Sequence, residues 1–453
     1  MFVIFVVNAY LMKKSFIYTV FVFLFLSFIG MMGFGAIVKY TFEGGKKYQF
    51  LQKPVMLISA VPVNVSKMIR YRTLNIDKPI KLDKHSDKNR FERFITKKRN
   101  ALLVLPRYEH NLEKSIVDII DLNNFEVIHT YRHNIEEMNN QVTNIQEFPR
   151  IKIDDAPIRF EYRHPLILND GSLISDSDYS VAFKIDFCSN LQWINQEEMF
   201  HHSKMLDHEG KIWIGGILNP YPDYTKKYYN LMDDSVIKVN SNGEILYNKS
   251  VIELLLDNQI YKIDYFSGQN IDPIHLNDIE PALNDTLYWK KGDVFLSLRH
   301  LSSIVHYRPS TNKVINYITG PFTQQHDVDI ISDKEISIFN NNNSFTNNEY
   351  SEVLIYNFET KTFSKLFNNQ LKKENFKTIS QGLSHIFKDG SLMVEEQNHG
   401  RIILFNNKGE KEWEFVNKDK NGEIGLVSWS RVIEDEFFIE KFKSLVKHKK
   451  CLN

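Results

Sequence analysis

His164, His202, His275, His326 and His385 each precede a short apolar or β-branched run, at separations of 38, 73, 51 and 59 residues. Neutral imidazole is a nucleophile, and histidine gives and takes protons near neutral pH. Gathered in one place, such side chains can attack an electrophile, protonate a leaving group, or ligate a metal. The densest polar stretch runs from Asp272 to Asn343. It reads Asp-Pro-Ile-His-Leu-Asn-Asp (272–278), Asp-Val-Phe-Leu-Ser-Leu-Arg-His (293–300) and Gly-Pro-Phe-Thr-Gln-Gln-His-Asp (320–327). Arg299 closes the Ser-Leu-Arg run and offers a planar fork of donors to an oxyanion. Asn277 and Gln325 add amide donors beside the histidines.

The elements that must position these residues are short strands. Arg-His-Pro-Leu-Ile-Leu-Asn-Asp-Gly-Ser-Leu-Ile (163–174), His-His-Ser-Lys-Met-Leu-Asp-His-Glu-Gly-Lys-Ile-Trp (201–213) and Ser-His-Ile-Phe-Lys-Asp-Gly-Ser-Leu-Met-Val (384–394) share one plan. A histidine leads a strand, a tight Asp-Gly-type turn, and a second strand; two further strands follow. That is one blade of a propeller, and the spacing of the histidines matches blade lengths. Residues 101–131 add a strand triplet, and 425–433 are expected to close the ring by pairing with it. The fold class expected is all-β, a six-bladed β-propeller with an N-terminal transmembrane helix. First strands of blades line a central channel, so His202, His275, His326 and His385 should meet at one mouth within about 10–12 Å. The long interval after His202 leaves room for an excursion over 217–232 and 252–274, and the Asn-rich 340–348 reads as an exposed loop.

Residues 15–38 carry no charge over 24 positions and follow Lys13-Lys14. At about 1.5 Å per helical residue they reach across a ~30 Å hydrocarbon layer. The flanking lysines leave the amino end in the cytoplasm. The competing reading is a cleaved signal peptide, whose apolar region is typically shorter, about 7–15 residues. The expected organisation is a cytoplasmic start (1–14), an anchor (15–38) and a linker or stalk with short helices (39–98). The propeller (99–437) and a basic tail (438–453) follow. Within the linker, 54–70 read as a short helix broken at Pro62, and 84–99 as a charged surface helix or stalk with a solvated face. The localisation expected is the cytoplasmic membrane, single-pass, with an extracytoplasmic body, periplasmic or cell-surface. Lys+Arg and Asp+Glu balance at 56 each, so no global field recruits nucleic acid. The two cysteines, Cys188 and Cys451, make no disulfide framework and are expected as free thiols.

The phrases His-Leu-Asn-Asp, Ser-Leu-Arg-His-Leu-Ser-Ser-Ile, Gly-Pro-Phe-x-x-Gln-His-Asp and Phe-Asn-Asn together resemble the bacterial arylsulfate sulfotransferase family, in its membrane-anchored branch. The similarity spans about 100–433. It implies a six-bladed propeller that moves a sulfuryl group from a phenolic sulfate ester to a phenol through a sulfated histidine, with no cofactor and no metal. The partners implied are aryl sulfates and phenols, besides the membrane. By this resemblance His385, in the last blade, is the nucleophile. His275 and His326 are acid/base and oxyanion partners, and Arg299 is the anion clamp. His202, Asn277 and Gln325 contact substrate. One departure stands out: the family carries an arginine shortly after the motif that follows Gln-His, and here that place is Asn340 to Phe345. Two other classes fit the histidines: a metalloenzyme, with Asp278, Asp327 and Glu395 leaning on histidine ligands, and a non-catalytic binding propeller.

Overall fold

The computed structural model describes residues 18–36, 84–143, 148, 151, 155–218, 231–261, 272–343 and 350–451. These residues belong to two compact units. The described part of the first is one apolar helix, Tyr18–Ala36, long enough to cross a membrane. The helix break expected at Pro62 lies outside the described residues, as does most of the excursion after Ile217.

The second unit is all-β, with small helices, in a propeller-like arrangement of antiparallel sheets. One sheet orders Arg431–Ile433, Leu102–Glu109, Lys114–Asp121 and Glu126–Tyr131, so the end of the chain pairs with the first strands as expected. Two more hold Leu276–Pro281 through Lys313–Ile318 and Val328–Ser332 through Thr362–Leu366. Leu102–Glu109 is buried on both faces, so that Leu102 and Val104 join one core and Leu103 and Leu105 another. Val328, Ile336 and Ile338 pack against Phe295 and Ile304.

Six separate four-stranded blades are not what the hydrogen bonding gives. Among the described residues the strands form five sheets, one of them seven-stranded. The cause is Leu191–Leu206, a 16-residue strand. Its first part pairs with Ser180–Ile185 and its second with Ile212–Ile217, so two units share one continuous strand.

The charged run 84–99 is not a surface helix. Phe91–Arg93 is a fifth strand on the last sheet, paired with Lys411–Val416. Its flanking charges meet buried carboxylates: His85 and Lys84 on Glu396, Lys88 on Glu414, Arg99 on Glu412. Nor is the chain end a loose tail. Glu436–His448 is a helix capped by Asp435, with Ile439 and Phe442 buried in the core beside Val117 and Phe187. The helix carries Cys451 back to Cys188, and the two form a disulfide with Cα atoms 5.3 Å apart. The expectation of free thiols is therefore overturned. The bridge closes a separation of 263 residues. Cys188→Ser should cost about 2–4 kcal/mol, read as a lower thermal midpoint that reductant alone reproduces in the wild type. A midpoint unmoved by either treatment would show that the bridge carries no stability.

Successive inner strands are tied by polar links. Ile279 N–H donates to Ser203 Oγ (3.1 Å), Val328 N–H to Asp278 Oδ2 (2.9 Å) and Ser384 N–H to Asp327 Oδ2 (3.0 Å). Trp429 and Ser430 N–H donate to Glu395, each at 2.8 Å. Arg431 Nε reaches Pro165 O at 3.2 Å and Lys204 Nζ reaches Arg163 O at 2.9 Å, which completes the circuit. Asp278, Asp327 and Glu395 are thus carboxylates that hold neighbouring strands together, and no described histidine leans on them.

Candidate active site

Where the chain turns into its inner strands, non-glycine residues adopt a left-handed backbone. His164 (φ 38°), His275 (55°), Gln324 (52°), Gln381 (59°) and Trp429 (60°) do so ahead of their strands. His202 (64°) does so inside Leu191–Leu206, where the register with Ile212–Ile217 slips between His201 and Lys204. Each such residue costs on the order of 1–3 kcal/mol, a strain that collects where a site needs particular side-chain directions.

The rings at these kinks meet. His202 lies 5.1 Å from His275, 6.3 Å from His326 and 5.7 Å from Trp429, centroid to centroid. Trp429 also meets His164 at 5.3 Å and His326 at 6.3 Å, and its indole N–H is spent on Gly382 O. On the other flank His300 lies 4.8 Å from His275. Three of the four histidines expected at a common mouth are therefore together.

Their hydrogen bonds give them different capacities. His275 Nδ1 is bonded to Asp272 Oδ2, with Tyr179 OH at 3.4 Å, and its Nε2 has no hydrogen-bond partner among the described residues. A carboxylate on Nδ1 fixes the tautomer whose Nε2 lone pair is free. His326 is different: Nδ1 faces Asn341 Oδ1 at 2.6 Å, and Nε2 accepts Gln381 N–H at 2.8 Å. Both nitrogens are bonded here, so His326 ties Asn341 and the Gln381 backbone together. His300 is likewise engaged, Nδ1 on Asp272 O (2.6 Å) and Nε2 on Arg299 Nη1 (2.7 Å). Arg299 Nη2 donates to Gln324 Oε1 at 3.1 Å.

The mouth carries positive charge at its edges and neutral rings within. Burial holds His202 well below the usual imidazole range, aided by His201, His275, Arg163 and His326. Burial and then Arg299 do the same to His326, and burial with His275 brings His300 down to about 4. Burial works against ionisation of Asp272, yet the charge and hydrogen bond of His275 hold its carboxyl below the ordinary range. Further along the inner strands, burial and mutual repulsion push Asp278 up to about 7 and Asp327 and Glu280 well above the carboxylate range. Arg163 thus acts on His202 and Arg299 on His326, so positive charge lies near these rings, while the carboxylates further along the strands repel one another.

His385 is not part of this cluster. It sits in Ser384–Ile386, its Nε2 3.4 Å from Glu434 Oε2 and its ring against Phe387 at 4.9 Å. The left-handed position of that sheet is Gln381, four residues earlier. Asn277 and Gln325 are buried, and their amide N–H groups are bonded within the protein. Asn277 Nδ2 bonds Gln325 O, and Gln325 Nε2 bonds Ser303 O, both at 2.9 Å. Asn340 and Asn341 are buried, so the Asn-rich stretch begins inside the site. Gln324, Gln381 and Trp429 went unread in the sequence, although the Gln-Gly pair 381–382 and the lone Trp before the closing strand mark two of them.

One described group at the mouth could hold a metal: donor atoms of Asp272, His275 and His300 lie within 4.8 Å of one another. Here Asp272 and His275 satisfy each other, His300 is engaged on both nitrogens, and the Arg299 guanidinium stands against an added cation.

The family profile described as Arylsulfotransferase (ASST) matches residues 171–418, more than half of the chain. No curated protein matches the sequence. Among solved structures, a protein of unknown function from Bacteroides caccae is 12% identical, with a TM-score of 0.47, over 75% of this chain and 100% of its own. A streptogramin B lyase is 8% identical, with a TM-score of 0.41, over 76% and 97%. Virginiamycin B lyase from Staphylococcus aureus is 11% identical, with a TM-score of 0.34, over 56% and 69%. Likenesses at these scores carry nothing further.

Proposed function

The chain belongs to the arylsulfotransferase family, and from that premise we propose that it transfers a sulfuryl group from an aryl sulfate to a phenol through a sulfated His275. The observation that carries this reading is the Asp272–His275 pair: Nδ1 is held by the carboxylate, Nε2 has no hydrogen-bond partner among the described residues, and the ring lies 5.1 Å from His202, with Arg299 N–H bonded to His275 O. In the first half-reaction His275 Nε2 gives its lone pair to sulfur. The N–S bond forms as the S–O(aryl) bond breaks, and that bond's electrons leave on the phenolate oxygen. Asp272 faces the positive charge that the ring acquires. Arg299 grips the sulfuryl oxygens, the role left open by the asparagines at 340–343. The acceptor phenol reverses the sequence and restores His275. Trp429, ringed by His164, His202 and His326, gives the aryl ring an apolar, aromatic surface.

We read the seven-stranded sheet as two blades that share Leu191–Leu206, a reading under which the five sheets would count as six blades. We place this body outside the cytoplasm, anchored by the Tyr18–Ala36 helix. Lys13-Lys14 ahead of the helix support that orientation, and the Cys188–Cys451 bridge suits an oxidising compartment.

The test uses the full chain in detergent with 4-nitrophenyl sulfate. A ping-pong transferase releases nitrophenol in a burst and turns over only when a phenol acceptor is added. No burst and no acceptor-dependent turnover across several phenols would leave the non-catalytic binding propeller as the better reading.

A further inference from the structure

Behind the mouth lies a second histidine that the nucleophile does not use. His201 and Asp234 are each 1% exposed. His201 Nδ1 is 2.6 Å from His202 Nδ1, and its Nε2 is 3.1 Å from Asp234 Oδ1, an ion-pair distance at which the N–H is not aligned for a hydrogen bond. Two ring nitrogens at that distance share one proton, because two N–H groups would repel and two lone pairs would not bond. His202 is the only one of the pair on the ring cluster, and its Nε2 has no hydrogen-bond partner among the described residues. The sequence makes room for this arrangement with Gly215, opposite His201 on Ile212–Ile217. A Cβ there would stand 3.2 Å from His201 O and 3.5 Å from its Cε1.

We propose that Asp234, His201 and His202 form a proton relay in which His202 Nε2–H is the acid that protonates the departing phenolate. This inference rests on the transferase reading above. At rest His201 carries protons on both nitrogens, its Nε2–H toward Asp234 and its Nδ1–H toward the lone pair of His202 Nδ1. His202 is then neutral with its proton on Nε2. As the S–O(aryl) bond breaks, that proton passes to the phenolate oxygen and the Nδ1 proton of His201 crosses to His202. His201 is left neutral and His202 has a free Nε2 lone pair, the base that the acceptor phenol needs in the second half-reaction. One proton leaves the relay in the first half and one returns in the second, so the cycle balances.

Charge placement agrees with the geometry. Burial works against a proton on His201, but Asp234, with Asp178 and Asp176, raises its affinity above the ordinary value. The groups facing His202 are His201, His275, Arg163 and His326, and with burial they keep it neutral. His201 and Asp234 are positioning residues; His202 alone meets the substrate.

The test compares phenyl sulfate, a poor leaving group, with 4-nitrophenyl sulfate, a good one, in wild type, His201→Gln and Asp234→Asn. General-acid help is worth about 10²–10⁴-fold and matters most for the poor leaving group. The ratio of nitrophenyl to phenyl sulfate rates should therefore rise at least about 10²-fold in His201→Gln, and less in Asp234→Asn. In the wild type the donor half-reaction should slow as pH rises through the titration of the pair, while the acceptor half-reaction should quicken. Asp234→Glu should restore part of the ratio. Equal losses on both donors, with an active wild type, overturn the relay alone. A wild type inactive on both donors sinks the transferase reading instead. Histidine ¹⁵N spectra then decide the relay: His201 doubly protonated beside neutral His202 supports it, and the reverse overturns it.

Discussion

Replacing His275 by asparagine should end acceptor-dependent release of nitrophenol, a loss of at least about 10⁴-fold in turnover, in keeping with removal of a covalent nucleophile. The substitution is chosen for the backbone as much as for the chemistry. His275 has a φ of 55°, and asparagine tolerates the left-handed region better than other residues that lack an imidazole. Leu276–Pro281 should therefore keep its place, and the thermal midpoint should stay near that of the wild type. A carboxamide has no lone pair able to form the N–S bond, so folded protein without turnover is the expected pairing. His385→Asn is the companion variant. Because the His385 contacts are Glu434 and Phe387, it should keep most of the activity. Full loss in His385→Asn with activity retained in His275→Asn would reverse the assignment.

The second large effect is expected at Asp272→Asn. A carboxylate on Nδ1 holds the proton there and leaves Nε2 as a lone pair facing the mouth. The carboxamide can present its N–H to Nδ1 instead, which moves the ring proton to Nε2 and removes the nucleophile without moving the ring. In a catalytic triad the same exchange costs about 10⁴-fold through the wrong tautomer, and a loss of that order, about 10³–10⁴, is expected here. The loss should fall on turnover rather than on donor affinity, since Asp272 acts through the Nδ1 of His275. A variant altered mainly in KM would show that Asp272 binds substrate rather than orienting His275.

Much of the architecture was legible because it is local. Asp-Gly turns between alternating strands fixed the antiparallel units, and 425–433 were recognisable as the strand that closes on 101–131. The shared strand Leu191–Leu206 was not, since nothing in a run of polar and apolar residues says that it continues from one unit into the next. Long-range partners were also hidden. The charges of 84–99 resemble a solvated surface until Glu396, Glu412 and Glu414 are brought beside them. Cys451 resembles a loose thiol until Ile439 and Phe442 dock its helix. In the site, His202, His275 and His326 were found by their common lead into a strand. His385 shared that lead and failed for a reason of phase. The rings gather at the left-handed residue that leads into an inner strand or just past it: His326 follows Gln324 by two residues, whereas His385 follows Gln381 by four and already lies within its strand. Backbone sign at a histidine leaves no mark in composition or spacing.

The central claim is that His275 carries the sulfuryl group between donor and acceptor. It is tested most directly by incubating the protein with 4-nitrophenyl sulfate without acceptor, trapping it, and mapping the added mass by peptide mass spectrometry under conditions that preserve the N–S bond. One sulfuryl group per chain on the peptide bearing His275, absent in His275→Asn and discharged by an added phenol, is the result expected. A sulfuryl group on His202, His326 or His385, or release of nitrophenol with no protein adduct, would contradict it.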